Sequence, residues 1–199
     1  MKFDGFYVDV GANDGRSCSN TYHLEKFQRW SGILVEPIMH IYFRSQQLRD
    51  PSVNKFFNAA CVSDDYQGDN VELLYSGLMS VVNSEAQEYD AKLWAEDGSK
   101  FLPAGECVQK TWSQARTLES ILIEAEAPRT INLLSIDVEG AEFGVLKGLD
   151  FKNWSIEYIL IETTINSKSY EYLTSLGFTH VETIVQNLLF INSKSVNLP

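Results

Sequence analysis

Short apolar runs recur along this chain, each closed by a polar or glycine-bearing turn, with stretches of helix-spaced apolar residues between them. Phe6–Val10 reads as a first strand, and residues 21–30 as a helix with Tyr22, Leu24, Phe27 and Trp30 as its apolar positions. Residues 32–35 predict a second strand stopping at Glu36-Pro37, and residues 38–48 a second helix closed off by Asp50-Pro51. Residues 55–62 predict a third strand, and residues 71–75 suit an additional one. Thr117 is a helix cap, with its helix running to residue 127. The most apolar strand, residues 131–137, is followed by a helix over 142–149, a strand over 156–162 and a helix over 170–176 stopped by Gly177. Two strands, 178–185 and 188–192, close the chain around a tight turn at Gln186-Asn187. Alternation of this kind predicts an α/β fold with a mainly parallel sheet covered on both faces.

The pattern dissolves between residues 77 and 112, where acidic residues mix with Trp94, Phe101 and Trp112. Residues 84–95 are expected to form a short exposed helix. Long irregular segments inside compact domains are often functional, so residues 77–112 are read as a lid or substrate-selecting insertion within a single domain spanning 1–199.

Composition narrows the function. A chain of 199 residues with 44% apolar content fits one well-buried domain, and no segment is long and apolar enough to span a bilayer. A formal charge of −11 argues against a phosphate-binding face for nucleic acid and favours a small or neutral partner. Cys18, Cys61 and Cys107 are widely spaced and odd in number, which reads as free thiols in a reducing compartment. The first strand begins almost at Met1, leaving no room for a signal peptide, so the expected location is cytoplasmic.

The segment FYVDVGANDG carries the most chemistry. A strand ends near Asp9 and breaks into a turn holding Gly11 and Gly15, after which a polar stretch offers Ser17, Ser19 or Asn20 as helix caps. Such a junction binds anionic or nucleoside ligands. The spacing is not the G-x-G-x-x-G of dinucleotide enzymes, because Ala12, Asn13 and Asp14 separate the glycines. Asp9, two residues before the first glycine, suits S-adenosylmethionine, whose cationic amino end a carboxylate there can meet. Glu36 lies about 20 residues past the turn, where an acid grips ribose hydroxyls.

Three acids close strands: Glu36, Asp137 and Glu162. In an open parallel sheet such charges fall at the ligand edge. Each is also a potential helix-capping group. Within Asp137-Val138-Glu139-Gly140-Ala141-Glu142, Asp137 and Glu139 are candidates to face a reaction centre, while Glu139 and Glu142 could instead favour the start of the next helix. His23, His40 and His180 are isolated and form no metal-binding pattern.

Taken in order, FYVDVGANDG, SNTYHLEK, WSGILVEP, FFNAACVSD, RTLESIL, LLSIDVEGAEFGVLKGL and IEYILIE resemble the FkbM family of S-adenosylmethionine-dependent methyltransferases over nearly the whole chain. The resemblance implies a Rossmann-like class I sheet of seven strands with a C-terminal antiparallel strand. It also implies methyl transfer, usually to a hydroxyl of a sugar, lipid or natural product. It assigns Asp9, Gly11 and Asn13 to the methionine part of the cofactor, Glu36 to ribose, and Ala60 and Cys61 to the neighbourhood of adenine. A hydroxyl acceptor benefits from a base, for which Asp137, then Glu139, then Glu162 are the candidates. A divalent cation could be held by Asp137 and Glu162, although the sequence does not require one. The rivals are a nucleotide-sugar glycosyltransferase, faintly suggested by Asp137-x-Glu139, and a binding protein that kept the fold without catalysis.

Overall fold

The computed structural model describes residues 2–82, 91–102 and 104–193. Its centre is the strand β1 (Phe6–Val10), buried on both faces because its side chains alternate between two apolar layers. On one side β1 pairs in parallel with β2 (Ser31–Val35), which pairs with β3 (Asn54–Phe57). On the other side it pairs in parallel with β8 (Thr130–Ile136), which pairs with β9 (Ser155–Glu162). The last two strands, β10 (Phe178–Ile184) and β11 (Asn187–Asn192), form a hairpin, and β11 lies antiparallel against β9. The sheet order is therefore β10-β11-β9-β8-β1-β2-β3, seven strands with one antiparallel to the rest. The chain's direction of travel across the sheet reverses at β1 and β8, the switch point at which α/β sheets open a crevice.

Two helices, α1 (Tyr22–Gln28) and α2 (Met39–Leu48), connect β1 to β2 and β2 to β3. Tyr7, Ala12, Trp30 and Leu34 form a small cluster on this side, with Leu24 of α1 packed on it. The opposite face carries the main core. There Val8, Val10, Ile33 and Val35 join Leu118, Ile121 and Leu122 of α4 (Leu118–Glu124), Val145 and Leu146 of α5 (Glu142–Lys147), and Leu173 of α6 (Lys168–Ser175). Thr117 caps α4, its hydroxyl accepting from the Ser120 N–H at 3.2 Å. Ser19, one of the expected caps, accepts from the N–H groups of Thr21 and Tyr22 at 3.2 and 3.1 Å, so the first helix begins well after the glycine turn.

The expected third strand over residues 55–62 is two strands. After β3 the chain turns at Asn58-Ala59, and β4 (Ala60–Val62) leaves for a second sheet. Asn58 fixes the break by donating its side-chain N–H to the carbonyls of Glu36 and Pro37 at 2.8 and 3.0 Å. The second sheet contains β5 (Asn70–Tyr75), β6 (Val81–Val82) and β7 (Gln109–Thr117). The strand β7 is unexpected from the sequence, because its mixed burial hides any alternation of apolar residues. Of the expected helix over 84–95, residues 84–90 lie outside the described residues. The remainder is helical and continues as α3 (Ala91–Gly98), packed through Ala91 and Ala95 on Leu74 and Val81. Among the described residues no helix is long and apolar enough to cross a membrane.

Candidate functional site

A cavity of about 540 Å³ opens beyond the carboxyl ends of β1, β2, β8 and β9. Its size suits a small organic ligand. All nine residues singled out from the sequence line it: Asp9, Gly11, Asn13, Glu36, Ala60, Cys61, Asp137, Glu139 and Glu162. The parallel register explains the convergence. Asp9 pairs with Leu34 and Ser135, so the acids that follow β2 and β8 emerge at the same edge as the turn after β1.

The turn itself is tightly built. Gly11 and Ala12 donate their N–H groups to the Val35 carbonyl at 3.0 and 3.1 Å, and Gly11 adopts a φ of +80°. A Cβ at Gly11 would fall 1.7 Å from the Asp137 carbonyl oxygen, so only glycine lets the first turn lie against the β8 turn. Asn13 also has positive φ, at +48°, a conformation that asparagine tolerates better than most residues. Its N–H donates to Glu36 Oε2 at 3.0 Å, while Glu36 Oε1 accepts from the Ile38 N–H at 2.8 Å. Glu36 thus joins the β1 turn to the start of α2 and is only 6% exposed. Burial raises its pKa to about 7, against the pull of those two N–H groups. The two remaining lone pairs of its carboxylate can accept from a ligand's hydroxyls.

At the other end, the carboxylate oxygens of Asp137, Glu139 and Glu162 come within 4.8 Å of one another. Burial, then the hydrogen bond to Glu162 and its charge, drive the Asp137 pKa well above the carboxylate range. Glu162 is raised by burial as well, so the two adjacent carboxyls share a proton and resist ionising together. Glu139 rises to about 7, through burial and then the Asp137 charge. The two roles suggested for Glu139 and Glu142 separate cleanly. Glu142 Oε1 accepts from the N–H groups of Gly140 and Val138 at 3.0 and 3.3 Å, which makes it the turn's cap. Glu139 instead accepts from the indole N–H of Trp94 at 3.0 Å.

Trp94 belongs to α3, so the segment between residues 77 and 112 reaches the acidic cluster directly. Leu78, Met79, Val82, Lys100 and Phe101 also line the cavity from this segment. These residues carry no pattern that sequence reasoning could single out, because their positions depend on the second sheet. Cys61 is buried and its thiol is pushed up to about 12, which makes it an apolar wall and not a nucleophile. Cys18 and Cys107 are exposed, and all three cysteines are free. None of the three histidines reaches the cavity.

Residues 9–188 match the methyltransferase FkbM domain. The chain is 32% identical over 173 residues to Methyltransferase 1 of Beauveria bassiana (strain ARSEF 2860), a match covering 80% of this chain and 64% of that protein. The crystal structure of methyltransferase FkbM from Methylobacillus flagellatus KT superposes with a TM-score of 0.51 at 13% identity, covering 96% of this chain and 44% of that one. The chain therefore spans less than two thirds of the length of either relative. At that identity the bacterial structure speaks to the fold, while the domain match extends over both the glycine turn and the acidic cluster. This chain belongs to the FkbM methyltransferase family.

Proposed function

We propose that this chain binds S-adenosylmethionine in the cavity at the β1/β8 switch point and directs methyl transfer to a hydroxyl oxygen of a sugar, lipid or natural-product acceptor. One observation carries the reading: a glycine turn with a buried acid on either side, Asp9 and Glu36, opens into the same cavity as Asp137, Glu139 and Glu162. The donor set suits the cofactor. Asp9 is available to its cationic amino end, Gly11 and Asn13 form the turn beside the methionine part, Glu36 accepts from the ribose hydroxyls, and Ala60 and Cys61 supply an apolar wall for adenine. When bound, the cofactor supplies an electrophilic methyl group on a sulfonium.

The chain's own residues then have two tasks. Leu78, Met79, Trp94 and Phe101 form the wall that holds an acceptor and excludes water, so residues 77–112 act as the substrate-selecting part of a single domain. The Asp137–Glu162 pair takes the hydroxyl proton, and Asp137 is assigned as the base once the pair has lost its own shared proton. Glu139, held by the Trp94 indole, is the second candidate for that base. The three carboxylates also offer oxygen donors for a hard cation, but no step here uses one. The cytoplasmic setting expected from the free thiols belongs to the same proposal. Incubation with methyl-labelled cofactor and a panel of glycan and natural-product hydroxyls tests it. Label in an acceptor ether is the expected result, and label only on nitrogen or carbon would overturn the oxygen assignment. A nucleotide-sugar glycosyltransferase would leave these acceptors unlabelled and glycosylate them only when a nucleotide-sugar donor replaces the cofactor.

A further inference from the structure

Beneath the glycine turn lies a polar network that no part of the methyl-transfer reading uses. Arg49, at the end of α2, has a side chain with no exposure, and its Nε donates to Glu25 of α1, whose side chain is 4% exposed. Its Nη2 donates to the Tyr7 hydroxyl, which in turn donates to Asn54. Asn54 completes the ring by donating to Glu25 Oε2 at 2.8 Å. Despite burial, which alone would raise it, Glu25 stays below its usual range through Lys26 and Arg49, so the pair is ionised. A buried ion pair of this kind contributes little net stability, because desolvation offsets its attraction. Its position is more informative.

The remaining Arg49 nitrogen, Nη1, points at the cofactor turn. It donates to the Gly15 carbonyl at 2.8 Å and to Thr21 Oγ1 at 3.1 Å. Thr21, itself fully buried, donates its hydroxyl hydrogen bond to Asp9 Oδ2 at 2.6 Å. One guanidinium therefore grips the far end of the turn at Gly15 and, through Thr21, the acid at its near end. Asp9 is 4% exposed, and a buried carboxylate without donors reverts to its neutral form. Burial raises the Asp9 pKa, and the Thr21 hydroxyl opposes it most, followed by the Arg49 charge and hydrogen bonds from Ser135 and Ser19.

The geometry points to Thr21 and Arg49 as positioning residues that fix the Asp9 carboxylate and the turn for the amino-acid end of the cofactor. This inference rests on the cofactor assignment above. Thr21 touches no ligand in this scheme and acts through Asp9.

Arg49→Met would strip buried Glu25 of one of its two cations and disrupt the whole network, so it cannot separate folding from binding. Thr21→Val removes only the hydroxyl, and Thr21→Ser keeps it. Calorimetry on the full chain with two probes distinguishes the possibilities: S-adenosylhomocysteine, and 5′-methylthioadenosine, which keeps the nucleoside and thioether but lacks the amino-acid end. Thr21→Val should weaken S-adenosylhomocysteine binding by about tenfold or more, the scale of a charge-assisted hydrogen bond. Its affinity for 5′-methylthioadenosine should not change, and Thr21→Ser should bind both probes like the wild type. Unchanged S-adenosylhomocysteine affinity in Thr21→Val, or equal losses for both probes, would overturn the inference while leaving the cofactor assignment intact. A wild-type chain that binds neither probe would overturn the cofactor assignment, and the inference with it.

Discussion

Glu36→Gln isolates the ionisation of one buried carboxylate while keeping its shape. In the folded chain burial lifts the Glu36 pKa from 4.5 to about 7. A proton held more tightly by the folded chain than by the unfolded one stabilises the fold at low pH. That contribution is lost as pH rises through the folded value. At pH 6 folded Glu36 is about ten parts protonated to one ionised, and at pH 9 it is almost wholly ionised. At about 1.36 kcal/mol per pK unit, the loss between those two pH values is about 1.4 kcal/mol from this residue alone. Asp137, Glu139, Glu142 and Glu162 are shifted in the same direction, so the wild type should lose more than Glu36's share. The variant should lose about 1.4 kcal/mol less than the wild type over this range. Its amide cannot accept from both the Asn13 and Ile38 N–H groups, which costs about 1–3 kcal/mol at every pH and shifts the whole curve down. The slope therefore carries the test. Urea unfolding at several pH values, followed by tryptophan fluorescence, measures it directly. Parallel curves for variant and wild type would refute the claim that Glu36 is buried with a raised pKa. The same variant should bind S-adenosylhomocysteine about 2–3 kcal/mol more weakly, through its ribose contacts.

Gly11→Ala should abolish S-adenosylhomocysteine binding and destabilise the chain by about 2 kcal/mol or more, because its φ is +80° and the new methyl meets the Asp137 carbonyl; urea unfolding and calorimetry check both effects. Asp137→Asn should keep cofactor affinity while turnover on an identified acceptor falls about 10²–10⁴-fold. Near-normal turnover would move the base to Glu139 or Glu162, and in the wild type turnover should rise with pH as the Asp137–Glu162 pair loses its proton. A thiol reagent should label Cys18 and Cys107 in the native chain and reach Cys61 only on unfolding, as mass spectrometry of the labelled protein would show.

The parts of this fold legible in the sequence are those whose signal is local. Buried parallel strands such as β1 and β8 read as continuous apolar runs, and the acids that end them mark the ligand edge without any knowledge of neighbours. Thr117 and Gly177 announced helix ends through cap and turn chemistry. Within the second sheet β5 was legible as the expected strand over 71–75, but the sheet itself escaped because its logic is long-range. β3 and β4 form one apolar run in sequence, and only the Asn58 side chain, bonded to backbone carbonyls across the turn, splits them between two sheets. β7 places Trp112 64% exposed and Ser113 buried, which inverts the usual apolar-in pattern. The site shows the same division. Asp9, Glu36 and Asp137 were visible as strand-end acids, whereas Trp94 reaches Glu139 only because α3 folds back over the cavity. Arg49 was also invisible, as an isolated arginine at a helix end gives no hint that it grips Gly15 and Thr21.

The most direct test of the account is calorimetric titration of the purified chain with S-adenosylhomocysteine, run beside NAD and a nucleotide-diphosphate sugar. A single site of micromolar affinity for S-adenosylhomocysteine, with no heat from the other two, is the predicted result. Tight binding of NAD or the nucleotide sugar, with none for S-adenosylhomocysteine, would contradict it.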